Sequence, residues 1–310
     1  QYELKFKELI ESRSNGRIEV TIDPCGTLGT SDQITELVDM EVVQFAMASP
    51  GHLGKLIPEV QVFLLHFVFS DDDEINNEVL NHDPELRRTF DELYARKRLK
   101  LLSVFSEGWQ VWTMKDPVRT PDDFRGVKMR VMTSPLLLAA YEAYGASPTP
   151  LPYSEVYSAL QLNMIDGQEN PVFAIQEMSF YEVTDWMIFA KHAPFITTAV
   201  TNREFFDALP SGQQALVLDV VEELNDYILD VQQRFNRERL DIIRQKRPKL
   251  KIVTELTPEQ RAQFRQASQT VYDQFVEMTG PAGQQLLDEL RQSIQAAEAQ
   301  RQASSPAPSR

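Results

Sequence analysis

The chain holds a single cysteine, Cys25, in 310 residues. No internal disulfide is available to staple the fold. Exported proteins often lack disulfides too, so the compartment stays open. Pro24, Cys25 and Gly26 read as a turn with a small packed thiol. Long apolar runs are also missing. The longest, near residues 62–69, suits one buried element and is far short of a bilayer span. Positive charge is scarce: 31 Lys and Arg face 46 Asp and Glu, a formal net charge of -15. A nucleic-acid partner is excluded on that ground, because phosphate binding needs a basic surface. An anionic ligand would have to be held by local cations against the overall field.

Several chemistries have no sequence basis. The four histidines, His52, His66, His82 and His192, show no zinc-motif spacing, so no metal or other cofactor is expected. There is no Gly-x-Ser-x-Gly elbow and no Walker loop. Gly26-Thr27-Leu28-Gly29 reads as a tight turn, not a dinucleotide fingerprint. The acidic run Asp71-Asp72-Asp73-Glu74 lacks the spacing of a calcium loop and reads as a helix start. No nucleophile is ordered into a triad. The basic stretch 234–251 lies in a charge-mixed helical pattern, so a solvated face is its default and partner docking the alternative.

What is present is an alternation of helix and strand over a length that favours two lobes. A helix leads from the first residue to about Asn15, stopped at Gly16. Residues 17–23 (RIEVTID) alternate as a strand does. Thr30 and Gln33 suit a capping box for a helix to about Met40. Residues 43–48 read as a strand, 71–80 and 84–97 as helices, 101–105 and 111–114 as strands. This pattern predicts a mostly parallel sheet covered by helices. Thr120-Pro121 and Ser134-Pro135 open helices, Ser154 opens another, and Asn170 is the N-cap of one beginning near Pro171. Ser211 and Gln214 suit a capping box for a very long helix reaching about Lys246, and Thr257 with Gln260 caps a further one. Residues 297–310, rich in Gln, Ala, Ser and Pro, are expected to be disordered.

The strand 127–131 (VKMRV) carries the functional argument. Lys128 and Arg130 share one face, and Arg130 lies near the carboxyl end, where open α/β sheets bind ligands. Arginine presents a permanently charged fork that matches a carboxylate. Spacing alone favours a surface arginine in an ion pair.

Residues 121–131 (PDDFRGVKMRV), 145–161 (GASPTPLPYSEVYSALQ) and 165–171 (IDGQENP) together resemble the signature of the solute-binding proteins of TRAP (tripartite ATP-independent periplasmic) transporters. Weaker similarity runs from the first helix to about Gly283. The resemblance implies an α/β, two-lobed periplasmic clamp, each lobe a mixed sheet flanked by helices, with a long helix spanning both. It implies lobe one at residues 1–107 with 196–235 and lobe two at 108–195 with 236–290. It implies no catalysis, a periplasmic location, a monomer, and delivery of a small organic acid to TRAP permease subunits. Relative to the family the amino end lacks the first strand, so one cleft wall is expected to be incomplete.

By the same resemblance Arg130 pairs with the ligand carboxylate, Asn170 hydrogen-bonds it and Tyr153 lines the cleft. Gln110 aligns with a second arginine of sialic-acid-binding members. It cannot neutralise a charge, which argues for a smaller carboxylate. Trp109 and Trp112 are wall candidates, core packing being the alternative for each. Ser49, His52, Glu107 and Thr197 are further pocket candidates. C4-dicarboxylates, hydroxy or keto acids, sugar acids and ectoine-like zwitterions all remain open. So does an extracytoplasmic sensor domain built on the same clamp.

Overall fold

A computed structural model describes residues 1–24, 27–29 and 31–304, the side chains of 31 and 32 excepted. The chain runs through α1 (Tyr2–Arg13), α2 (Ser31–Asp39), β1 (Phe45–Ala48), α3 (Pro50–Leu53), α4 (Asp73–His82), α5 (Pro84–Ala95), β2 (Leu99–Trp109) and β3 (Val111–Met114). It continues through β4 (Lys128–Val131), α6 (Pro135–Ala143), β5 (Ser147–Pro150), α7 (Val156–Gln161), β6 (Gly167–Asn170), α8 (Val172–Glu177), β7 (Trp186–Ile188) and β8 (Pro194–Asn202). It closes with α9 (Arg203–Ala208), α10 (Ser211–Lys246), β9 (Lys251–Val253), α11 (Pro258–Ala267) and α12 (Gln269–Ser304).

These elements build two helix-flanked sheets. The first has the order β1-β8-β2, and the second the order β5-β4-β6-β3-β7-β9. The expectation of mostly parallel sheets is corrected: β8 runs antiparallel to both its neighbours, and β3 to both of its own. The cause is the crossing of the chain. β2 leads out of the first sheet straight into β3 of the second, and β7 leads back into β8. In the second sheet β4 is parallel to β5 and β6, and β7 to β9.

The long helix α10 ties the two halves together. Val217, Val220, Val221, Leu224 and Ile228 on its first half join a core with α1 and the first sheet. Ile243 near its end packs with Val111, Val172 and Met187 under the second sheet. Between these ends Asn236 donates to the Glu107 carbonyl at 2.8 Å and accepts from the Phe173 amide at 3.0 Å. Gly108 makes that approach possible. Its φ is +118°, and a Cβ there would sit 2.5 Å from the Asn236 amide nitrogen.

Some sequence expectations do not survive. Residues 17–23 form no strand; the segment is tied to α1, where Glu11 accepts from the Val20 amide and Lys7 donates to the Val20 carbonyl. Asn170 is not a helix cap: it ends β6, and α8 starts after Pro171 without a side-chain cap. Ser211 is the first residue of α10, not its cap; Gln214 reaches back to the Asp207 and Leu209 carbonyls. The residues from 297 to 304 continue α12, which packs on α4, α5 and α6 and carries Ile294 into the core. Positions 305–310, Cys25, Gly26 and Thr30 lie outside the described residues. The box at Thr257 is formed, Thr120-Pro121 opens a 3-10 turn (Pro121–Phe124) and not an α-helix, and Asp72 caps α4 as the acidic start suggested.

Candidate solute-binding site

β4, β6 and β3 lie side by side, and their register places Arg130 beside Gln168 and Gln168 beside Thr113. Alternation along the strands then puts Arg130, Gln168, Asn170 and Thr113 on one face and Met129, Glu169 and Trp112 on the other. β4 and β6 are parallel, so Arg130 and Asn170 stand at neighbouring carboxyl ends, the ligand-binding edge of such sheets.

Arg130 is 3% exposed. Its Nε and Nη2 donate to the Leu151 carbonyl at 3.0 and 2.8 Å, which fixes the guanidinium plane. Among the described residues no carboxylate forms an ion pair with it. Burial pulls the guanidinium down to about 10, while the Glu169 charge behind the sheet and the nearby Tyr153 oppose that pull. A buried cation without a counter-ion costs free energy unless an anion arrives. Asn170 is buried beside it and donates to Gln168 Oε1, while Gln168 donates to Thr113 Oγ1 at 2.6 Å. Tyr153 is half-buried, stands edge-on to Phe180 with ring centres 5.7 Å apart, and donates to the Ala174 carbonyl at 3.3 Å.

The other candidates form separate groups. Gln110, 5% exposed, bridges β2 to β3; its amide donates to the Ala193 carbonyl, and its Oε1 has no partner. Trp109, half-buried, lies under the Lys191 ammonium at 5.6 Å. Both line a cavity of about 540 Å³ shared with Val172, Lys191, Gln232 and Asn236. Arg130, Asn170 and Tyr153 are not on that lining. At that cavity Arg261 forks onto both Asp71 oxygens at 2.6 Å. Among the described residues Arg130 is a buried charge with no ion-pair partner. Thr197 donates to Glu107 at 2.7 Å, and burial pushes that carboxyl up to about 7 despite this bond. Ser49 caps α3 by accepting from the Gly51 amide, and His52 lies on the same short helix. Trp112 is fully buried and donates to the Tyr141 hydroxyl at 2.8 Å, which makes it core and not a pocket wall.

Sequence reasoning missed two features. Gln168, which orients Asn170, was recoverable from strand alternation. The second is a buried cluster behind the sheet, where His192 Nε2 lies 2.7 Å from Glu169 Oε2 and His66 Nδ1 lies 2.7 Å from the Tyr144 hydroxyl. Burial would push Glu169 up, but the His192 hydrogen bond and the imidazoles outweigh it and hold the carboxylate below its usual range. Burial holds His66 neutral, down to about 3.

Two sheets joined by crossing strands and a shared helix, with an unpaired arginine at a strand end, define a two-lobed solute-binding protein. Residues 1–279 match the model of the family described as bacterial extracellular solute-binding protein, family 7 (DctP), and the chain belongs to that family. The ectoine/5-hydroxyectoine-binding periplasmic protein UehA of Ruegeria pomeroyi is 40% identical over 295 residues, which is 95% of this chain and 86% of the relative. An apo open structure of a TRAP periplasmic solute-binding protein from Marinobacter aquaeolei superposes with a TM-score of 0.89 at 39% identity, covering 94% of each chain. The periplasmic ectoine-binding protein of the TeaABC TRAP transporter of Halomonas elongata superposes with a TM-score of 0.90 at 35% identity, covering 95% of this chain and 94% of the other. The family consists of solute-binding proteins, and TRAP members work with membrane permease subunits. No helix among the described residues is long and apolar enough to cross a membrane.

Proposed function

We propose that the chain is a periplasmic solute-binding subunit that captures a small carboxylate and hands it to TRAP permease subunits. The observation that carries this reading is Arg130: a buried, rigidly held cation with no ion-pair partner among the described residues. Its fork would take the carboxylate, Asn170 would add a hydrogen bond, and Tyr153 would wall the site. Residues 1–107 with 196–235 form one lobe and 108–195 with 236–290 the other. They close over the ligand, driven by contacts available only when closed. Between the strand ends and α10, Trp109, Gln110 and Thr197 contribute to the cleft, with Ser49 at its rim.

The relatives that bind ectoine favour a compact zwitterion among the possible carboxylates. Gln110 supports a small ligand, since it accepts a hydrogen bond but supplies no second positive charge. The test is a thermal-shift screen of ligand-stripped protein against ectoine, 5-hydroxyectoine, C4-dicarboxylates and sugar acids, run beside Arg130→Ala. At about a hundred times its dissociation constant a ligand adds roughly 2.7 kcal/mol, a shift of several degrees. A shift that vanishes in Arg130→Ala is expected. No shift with any acid would sink the carboxylate reading.

A further inference from the structure

Behind the sheet, on the face away from Arg130, three stretches far apart in sequence converge. His66 follows the 3-10 turn Pro58–Leu64, Glu169 belongs to β6, and His192 lies in the link between β7 and β8. One ligand atom from each lies within 4.8 Å of the other two, and all three side chains are buried. Their exposures are 1% for His66, 4% for Glu169 and 1% for His192. Two ring nitrogens in this cluster, His66 Nε2 and His192 Nδ1, have no hydrogen-bond partner.

We propose that His66, Glu169 and His192 form a closed binding site for a divalent transition-metal ion of the zinc type. Two neutral imidazoles and a carboxylate are a donor set that suits zinc, with one position left over. Partners for His66 and Glu169 are in place, while His192 is held by its backbone and by ring stacking. His66 Nδ1 lies 2.7 Å from the Tyr144 hydroxyl; with the proton on Nδ1, donated to that oxygen, Nε2 keeps its lone pair for a metal. Tyr141 donates to Glu169 Oε2 and receives the Trp112 indole N–H, so the carboxylate is oriented from behind. Trp112 stacks on the His192 ring, with centres 4.6 Å apart. The Phe67 amide donates to the His192 carbonyl, and the Tyr272 hydroxyl to the His66 carbonyl, holding both histidine backbones.

Binding needs the His192–Glu169 pair to open and the cluster, whose ligand atoms lie within 4.8 Å of one another, to draw together around the ion. His192 Nε2 and Glu169 Oε2 now lie 2.7 Å apart. Tetrahedral arms of about 2.0–2.1 Å require ligand atoms about 3.3 Å apart, so the pair opens by roughly half an ångström. The pairs His66–Tyr144, Tyr141–Glu169 and Trp112–Tyr141 are retained. Because the site is enclosed, the ion enters during folding or transient opening and leaves slowly. Its expected role is to clamp the link 189–193 onto β6 and the segment after the 3-10 turn.

The test uses the full chain, refolded from denaturant with Co2+ and desalted. One cobalt per chain is expected, with the visible absorption of a four-coordinate nitrogen and oxygen site, displaced by Zn2+. His66→Gln should lower retention at least tenfold, and Tyr144→Phe several-fold with the spectrum kept. His82→Gln should change nothing. Imidazole 15N spectra of the unmodified chain give a readout that does not depend on any variant folding. The His66 and His192 ring signals should move to metal-bound positions. No cobalt retained after desalting, retention indifferent to His66→Gln, or unchanged ring signals would each overturn the site.

Discussion

Replacing Arg130 by Met separates the cost of holding a charge ready from the benefit of using it. Burial lowers the guanidinium to about 10, which corresponds to about 3 kcal/mol of penalty on the charged form. Met removes that penalty but strands the Leu151 carbonyl, which now accepts from two guanidinium nitrogens, at a cost of about 1–3 kcal/mol. The ligand-free protein should therefore keep its stability within about 2 kcal/mol. Carboxylate binding should instead weaken by about 3–5 kcal/mol, because the buried anion loses its counter-charge. That is roughly 150-fold to 5000-fold in Kd. Arg130→Lys keeps the charge, but one ammonium cannot both hold the Leu151 carbonyl and fork onto a carboxylate, so at least about a tenfold loss is expected. Denaturant titration of stripped protein and isothermal calorimetry at fixed pH measure the two quantities. The reasoning is refuted if Arg130→Met binds within tenfold of the parent. It is equally refuted if the stripped variant loses more than about 4 kcal/mol, since Arg130 would then be a structural residue.

Two further substitutions probe the joint and the buried acid. Asn236→Ala leaves the Glu107 carbonyl and the Phe173 amide without their partner, and denaturant unfolding should show a loss of about 1–3 kcal/mol. Glu107→Gln should stabilise the protein more at pH 8 than at pH 4. The folded carboxyl is raised to about 7 from an ordinary 4.5, so the native state binds more protons across that window and loses stability as pH rises through it. Gln removes the loss, and equal melting shifts at both pH values would contradict the raised carboxyl.

Local chemistry was legible in the sequence wherever a neighbour within a few residues decides it. The capping box at Thr257, the strand holding Arg130 and the length of α10 all follow from short-range rules. Residues 17–23 have strand-like alternation, but alternation describes a surface and cannot supply a pairing partner. Asn170 before Pro171 looked like a cap, yet pairing with Val111 in β3 claimed it for the sheet. The composition of the chain's end suggested disorder, while packing on α4 and α5 keeps it helical to Ser304. At the site, the residue type and strand position of Arg130 were readable. That no carboxylate pairs with it was not, because ion pairing depends on elements distant in sequence. The same holds for Asn236, which spans from α10 to both halves, and for His66 and His192.

The position of β8 has a consequence for how the protein is made. Among the described residues it is the central strand of the first sheet, with β1 on one side and β2 on the other. Its residues, Pro194–Asn202, follow the whole run from β3 to β7. A chain emerging from its amino end therefore cannot close its first sheet until most of the second has been synthesised. Amino-terminal fragments should stay open, with the edges of β1 and β2 exposed. Folding should behave as a late, concerted event limited by long-range strand pairing, not as one lobe following the other.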